Sequence, residues 1–340
     1  MLSQLQFRLR LLRYYTPRVL INRQRIKRAK KMSRQTREPL TNAYPLWVRI
    51  EPSNLCNFRC PGCTAHTNIG HKENGCMDMD VYRSIIDSVA GKGTLGVLLW
   101  HRGEPLVHQQ LAEMIEYAHS KNLLTRITSN LNLLRTAEDA ERLVMSGLDW
   151  VTASLDGVTE EQYQKYRVGG RLEHLLNAID LLREARERLG KKRPLLEIQF
   201  IYFPFNENDK DRAFEIAREH NVDRFYTKTA KIMDMKNREQ FLVQNEEHAR
   251  YRITDDGDIE LKIDPPNFCH DLWDQLNIDW NGKVISCCQN NDQDMAFGNA
   301  ANEDPIEIWR SKRASNLRRQ ILKDRKSIPM CRNCVQGLRV

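Results

Sequence analysis

Cys56-Asn57-Phe58-Arg59-Cys60-Pro61-Gly62-Cys63 sets three cysteines at C-x3-C-x2-C, just after the strand-like run Leu46-Trp47-Val48-Arg49-Ile50-Glu51. Three thiolates on one short loop can hold three irons of a [4Fe–4S] cluster. The fourth iron then has no local protein ligand and stays open to an outside molecule. A cluster that only carries electrons takes four thiolates, so this loop points to chemistry at the open iron. Zinc is the alternative for clustered cysteines, but zinc sites usually pair two C-x2-4-C knuckles.

Outward from the loop, strand-like and helix-like patches alternate as far as about Lys228. The strand candidates are Leu46–Glu51, Gly96–His101, Leu123–Thr128, Trp150–Ser154, Leu196–Tyr202 and Arg224–Thr227. Between them lie the helical patterns Asp80–Ala90, Leu106–Ser120, Ala137–Ser146, Glu160–Arg167, Leu172–Arg188 and Asp209–His220. Such alternation predicts an α/β protein: a parallel sheet with helices outside. Six units suggest a partial (β/α)6 TIM-like barrel; a doubly wound sheet is the alternative.

The bulk composition is that of a soluble globular chain, 41% hydrophobic and 29% charged over 340 residues. No apolar run approaches the roughly 20 residues that span a bilayer. Arg8, Arg10 and Arg13 interrupt any secretory h-region, so a cytoplasmic location is expected. Without export, nine cysteines read as ligands in place of disulfides. They divide into Cys56, Cys60 and Cys63; Cys269, Cys287, Cys331 and Cys334; and a remainder of Cys76, an inert loop thiol, and Cys288.

The net charge of +8 belongs to residues 1–40, which hold twelve Arg and Lys against Glu38 alone. The rest of the chain is slightly acidic, so no nucleic-acid-binding core is implied. In this basic N-terminal arm, Leu2, Leu5, Leu9 and Leu12 stand at helical spacing up to Pro17, and a second basic stretch runs from Arg23 to Arg37. The arm can pack as a solvated helix, lie on an anionic membrane surface, or dock an acidic partner.

The cysteine loop resembles the signature of the radical S-adenosylmethionine (radical SAM) family. Trp100-His101-Arg102-Gly103-Glu104-Pro105 is similar to that family's G-G-E-P segment, with Arg102 in place of the first Gly. Thr128-Ser129-Asn130 and Ser154-Leu155-Asp156-Gly157 resemble its polar strand ends, although Leu131 stands where a Gly is usual. The resemblance implies that Cys56, Cys60 and Cys63 hold the catalytic [4Fe–4S] cluster. It implies that Gly103 and Glu104 receive the SAM amine, that Ser129 and Ser154 touch its ribose or carboxylate, and that Arg167 pairs the carboxylate. Arg102 must then point away from SAM. Alternation points Gln199 into the barrel with Glu197 and Ile201.

Past a charged crossover at residues 229–267, the C-terminal part reads C-x12-G-x4-C over Cys269, Gly282 and Cys287, followed by Cys331-Arg332-Asn333-Cys334. Ile278 to Ile285 reads as a hairpin turning at Asn281-Gly282, and Pro305 to Arg319 as a helix. These motifs resemble the SPASM/Twitch extension of radical SAM enzymes, in its single-cluster form. The implied organisation is an arm at 1–40, a core barrel at 45–228, a linker at 229–267 and an auxiliary-cluster domain at 268–340. Cys269, Cys287, Cys331 and Cys334 are the expected ligands of a second [4Fe–4S] cluster. Cys288 is the alternative to Cys287, or else a hydrogen donor near the active site. A structural zinc site on the same four thiolates is the bland reading.

The resemblance implies reductive cleavage of SAM to a 5′-deoxyadenosyl radical, fed by a flavodoxin- or ferredoxin-like donor. The first expectation is two-electron oxidation of a small polar or sugar-like metabolite, assisted by the auxiliary cluster. Peptide modification is the second, and a missing N-terminal peptide-binding domain weighs against it. Epimerisation through Cys288 is the third. A zinc-bound scaffold is the non-enzyme alternative.

Overall fold

The computed structural model describes residues 6, 9–65, 73–232, 238–287 and 296–335. Six strands follow the expected order: β1 (Trp47–Ile50), β2 (Gly96–Leu99), β3 (Leu124–Ser129), β4 (Trp150–Leu155), β5 (Leu195–Tyr202) and β6 (Arg224–Thr229). Each pairs in parallel with the next, so spatial order equals chain order, as in a partial barrel and unlike a doubly wound sheet. Every residue of β2 and β4 is buried, as expected of a parallel sheet covered on both faces.

The covering helices begin where the sequence offers caps. Asp78, Thr136 and Thr159 accept the first backbone N–H groups of the helices Met79–Val89, Ala137–Met145 and Glu160–Tyr166. Each such cap is worth about 1 kcal/mol. Helices Leu111–Ser120, Leu172–Arg188 and Lys210–Glu219 complete the outer layer.

The sheet does not stop at the barrel. β9 (Gln275–Ile278) lies parallel to β1, with Trp47 opposite Gln275 and Ile50 opposite Ile278. β10 (Lys283–Ile285) and β11 (Gly298–Asn299) follow antiparallel, making nine strands in one sheet. The predicted hairpin turns at Asn281-Gly282, and Gly282 takes the left-handed conformation, φ 81°. The C-terminal motif region therefore extends the first edge of the barrel. Between the two parts, β7 (Tyr251–Ile253) and β8 (Ile259–Leu261) form a separate hairpin inside the expected linker. The expected helix Pro305–Arg319 is two helices, Pro305–Arg310 and Lys312–Lys323, because Ser311 caps the second through Ala314 N.

The basic stretch of the arm is an ordered helix, Pro17–Thr36. Pro17 starts it: Pro is preorganised for a first helical turn, and the Thr16 hydroxyl accepts from Val19 N. Its buried stripe runs Val19, Asn22, Ile26, Ala29, Lys30 and Ser33. Asn22 donates to the Gly93 and Tyr44 carbonyls, on the barrel side. Lys30 pairs with Asp274, and Ser33 Oγ accepts from Trp273 Nε1, on the C-terminal side. The helix is thus a strap across both parts, the packed alternative among the three offered by its sequence. Leu2 and Leu5 lie outside the described residues. No described helix is long and apolar enough to cross a membrane.

Candidate active site

The cysteine loop leaves the C-terminal end of β1 and is pinned from three sides. Glu104 N donates to Leu55 O (2.8 Å), Arg59 N to Val168 O (2.9 Å), and Asn130 Nδ2 to Asn57 Oδ1 (2.9 Å). Close approach also fixes it: a Cβ on Gly103 would lie 2.2 Å from Ser53 O and 2.5 Å from Leu55 O. Cys60 is buried, while Cys56 and Cys63 are half-buried. Burial pushes the Cys56 thiol up to about 12 and raises Cys60 as well. Thiolates at this loop therefore need positive charge beside them, which a bound metal supplies.

Glu104 is buried and already holds three donors. Oε1 accepts from Ser129 Oγ (2.6 Å) and Leu106 N (3.1 Å), and Oε2 accepts from Asn130 N (2.8 Å). One lone-pair site on Oε2 remains for an outside donor. Ser129 spends its hydroxyl on Glu104 and accepts from Leu131 N (2.8 Å), so it sets the turn between β3 and the next helix. Ser154 is buried on β4, in register with Gln199 on β5. Arg167 is clasped by Asp156: Nε donates to Asp156 Oδ2 at 2.6 Å, and Nη1 reaches Cys60 Sγ at 3.8 Å. Arg102 turns into the interior, where Nη1 meets Asp279 Oδ1 at 3.0 Å.

The four C-terminal cysteines meet. Cys269, Cys287, Cys331 and Cys334 line one small pocket, although they come from three separate stretches of chain. Ser286 Oγ in its wall is buried, with no hydrogen-bond partner among the described residues. An orphaned hydroxyl beside four thiols fits a pocket made for a group with acceptor atoms, as an iron–sulfur cluster has. Buried Arg325 organises the ring: Nη1 donates to Phe268 O (2.6 Å), Nη2 to Cys334 O (2.6 Å) and Nε to Cys331 O (3.3 Å). Cys288 lies outside the described residues. Cys76 is exposed, in an isolated bridge with Ser53.

A cavity of about 1020 Å³ fills the barrel, running from Trp47 and Trp150 up to Cys63 and across to Asp271 and Val335 of the C-terminal part. Glu197, Gln199 and Ile201 line it, as alternation on β5 predicts. Gln199 Oε1 accepts from Tyr226 OH (2.7 Å).

Comparison with known proteins accounts for this arrangement. The Radical SAM superfamily model matches residues 50–215, and the SPASM iron–sulfur cluster-binding domain matches residues 269–335. The chain is a radical SAM enzyme with a SPASM-type module. It is 27% identical over 169 residues to the Fe-coproporphyrin III synthase of Methanosarcina barkeri, covering 50% of this chain and 40% of that one. It is 25% identical over 285 residues to the PqqA peptide cyclase of Gluconobacter oxydans, covering 78% and 76%. Several other curated relatives are matched over only about half of their length or less. Among solved structures, SuiB of Streptococcus suis bound to S-adenosylmethionine has a TM-score of 0.63 at 17% identity, covering 86% of this chain and 71% of that one. At that identity the likeness speaks for the fold.

A radical SAM enzyme with a SPASM module takes SAM, a catalytic [4Fe–4S] cluster and an auxiliary one. The thiol loop and the four-thiol pocket each offer a donor set of the right chemistry. Three supporting residues escaped the sequence reading: Asp156, Asp279 and Arg325. Asp156 and Asp279 stand inside motifs quoted for other residues. Arg325 sits in an ordinary basic helix end, and only the fold shows that it is buried.

Proposed function

We propose that this radical SAM enzyme carries out a two-electron oxidation of a polar substrate held in the barrel cavity. Asp271 supports the reading: it stands in the wall of the barrel cavity and in the wall of the four-cysteine pocket. A substrate in the first is therefore separated from the second by little more than one side chain. In this reading Cys56, Cys60 and Cys63 hold the catalytic cluster, and Cys269, Cys287, Cys331 and Cys334 the auxiliary one. SAM at the catalytic cluster supplies hydrogen-atom abstraction, and the auxiliary cluster supplies a one-electron acceptor.

The chain's own residues orient and shield. Glu104 presents its remaining acceptor site to the SAM amine, beside Gly103. Ser129 and Asn130 hold that carboxylate in place. Arg167, fixed by Asp156, places positive charge at Cys60, where it also serves the SAM carboxylate; Ser154 lies at the next strand end. When bound, SAM at the first cluster would supply the acceptor for one hydrogen atom of the substrate, the cluster held by Cys269, Cys287, Cys331 and Cys334 would supply the acceptor for one electron, and the remaining proton would pass to cavity water, two electrons in all. A flavodoxin- or ferredoxin-like protein returns the electron that starts each turnover.

Peptide modification is the second reading. It is favoured by one observation: the match to the PqqA peptide cyclase covers 78% of this chain, more than the radical SAM segment 50–215 alone. In that case the oxidised group belongs to a residue of a peptide.

The test is anaerobic turnover of reconstituted enzyme with SAM and reductant on candidate polar metabolites and peptides, read by mass spectrometry. Loss of two hydrogens from the product, abolished by Cys269→Ala while SAM is still cleaved, supports oxidation. A product of unchanged mass that carries solvent deuterium overturns it in favour of epimerisation.

A further inference from the structure

The floor of the barrel cavity carries an alternating ladder of guanidinium groups and indoles. Arg49 lies 5.4 Å from the Trp100 ring, and Arg126 lies 5.4 Å from Trp100 and 3.8 Å from Trp150. Arg224 lies 5.5 Å from the Trp150 ring as well. Glu197 answers two of these cations, Arg126 at 2.8 Å and Arg224 at 3.0 Å. Arg49 has no carboxylate among the described residues, although it is only 7% exposed and its Nε is buried without a hydrogen-bond partner. Lys228, Lys231 and Arg250 line the same cavity and likewise have no carboxylate partner among the described residues.

A buried guanidinium held only by an indole face is unfavourable to desolvate, and mutually repelling cations around one cavity add to that. SAM brings one carboxylate, and it belongs at the strand ends. Arg49 lies two residues below Glu51 on β1, roughly 7 Å deeper in the barrel. The surplus is therefore left for the substrate.

We propose that the barrel cavity recognises its substrate by an anionic head group, a carboxylate or a phosphate, seated between Arg49 of β1 and Lys228 of β6. A guanidinium fork matches either group, and the neighbouring indoles give a flat apolar wall for the portion that reacts. This rests on the reading of the cavity as the substrate site, and it narrows the polar substrates to anionic ones.

The test is calorimetric titration of the SAM-loaded, cluster-reconstituted enzyme with pyrophosphate, citrate and, as a neutral control, myo-inositol. We expect saturable binding of one anion and none of inositol. Arg49→Gln and Lys228→Gln should each weaken the anion by about tenfold, the value of a charge-assisted contact. Binding of pyrophosphate alone assigns a phosphoryl head; binding of citrate alone assigns a carboxylate. No saturable anion binding at millimolar concentration, or binding that neither variant weakens, overturns the proposal. Should Arg49→Gln fail to hold its iron, Lys228→Gln decides, because Lys228 reaches into open cavity from an edge strand. Reductive SAM cleavage by the wild type is measured alongside. Its absence sinks the oxidation reading itself, whereas cleavage without anion binding sinks only this inference.

Discussion

Arg102 Nη1 stands 3.0 Å from Asp279 Oδ1, so the turn that carries Gly103 and Glu104 is tied to the β9–β10 hairpin of the SPASM module. His101 Nδ1 lies 3.1 Å from the same oxygen, and Glu51 Oε1 accepts from Arg102 N (3.1 Å). Glu51, His101 and Asp279 lie close enough together to suggest a cation site, but the guanidinium already supplies the positive charge. Burial raises the Glu51 carboxyl; for Asp279 burial acts the same way, but His101 and Arg102 outweigh it and hold the group low.

Asp279→Asn should therefore leave buried Arg102 without its nearer carboxylate, with Glu51 at 3.8 Å the carboxylate that remains. A change of this kind costs about 3–5 kcal/mol, seen as a lowered thermal midpoint and a weakened SAM dissociation constant. Arg102→Met combined with Asp279→Leu should recover a large part of that loss, because the apolar pair removes both charges together. A double variant as unstable as the sum of the two single ones would show that the pair does not couple the modules.

Glu104→Gln is expected to act on SAM binding more than on the fold. The carboxylate accepts three hydrogen bonds with two oxygens, and an amide keeps only one acceptor oxygen. One backbone N–H, of Leu106 or Asn130, would then face an NH2 group. The loss for one such buried donor is about 1–3 kcal/mol. Equilibrium binding should show SAM affinity falling by about tenfold or more, with iron content unchanged. Ser129→Ala should weaken SAM less, since its hydroxyl acts through Glu104. Equal effects of the two variants would instead assign Ser129 a direct contact.

The two cluster sites should separate by iron count. Wild type should reconstitute with about eight irons, and Cys56→Ala/Cys60→Ala/Cys63→Ala with about four. Arg325→Met should also fall toward about four, by the other route. It frees the carbonyls of Phe268, Cys331 and Cys334, which bracket three of the auxiliary ligands. The signature that divides them is electron paramagnetic resonance: SAM should still perturb the signal of Arg325→Met and leave the triple variant unchanged. Four irons plus zinc in the wild type would make the C-terminal site a structural clamp.

What was legible in the sequence was local. Cys56, Cys60 and Cys63 declare themselves by spacing, and β1 to β6 by the alternation of apolar runs with helical patterns. Pairings across the chain were not legible. Nothing near Arg325 says that it will be buried against carbonyls of residues 268, 331 and 334. The helix Pro17–Thr36 hides its seat because its buried stripe includes Asn22, Lys30 and Ser33, so apolar periodicity marks only half of it. The β7–β8 hairpin escaped because its strands are three residues each, with Tyr251, Ile259 and Leu261 as its only buried apolar residues among charged neighbours. Arg102 departs from the family pattern in a way the sequence could flag but not explain, because the explanation is Asp279, far along the chain.

Lys228 should give the cavity a pH signature with opposite signs for binding and for stability. Lys228 is exposed to the open cavity, yet desolvation by the cavity walls, with Arg126, Lys231 and Arg49 facing it, pushes its ammonium down to about 8, while Glu197 pulls the other way and Asp156 also faces it. An unfolded lysine titrates near 10.4. Between those values the unfolded chain binds more protons than the native one, so stability of the ligand-free enzyme should rise with pH through this window. Affinity for an anionic head group should do the reverse. It should be flat below pH 8 and fall above it, by at most about tenfold per unit, as the ammonium is lost. Citrate is the suitable probe, since its own charge is constant above neutrality. Titrations at a series of pH values should show the bend near 8 in the wild type and a weaker, level profile in Lys228→Gln. A bend that survives Lys228→Gln would move the titrating group elsewhere in the cavity, with Lys231 the next cation to replace.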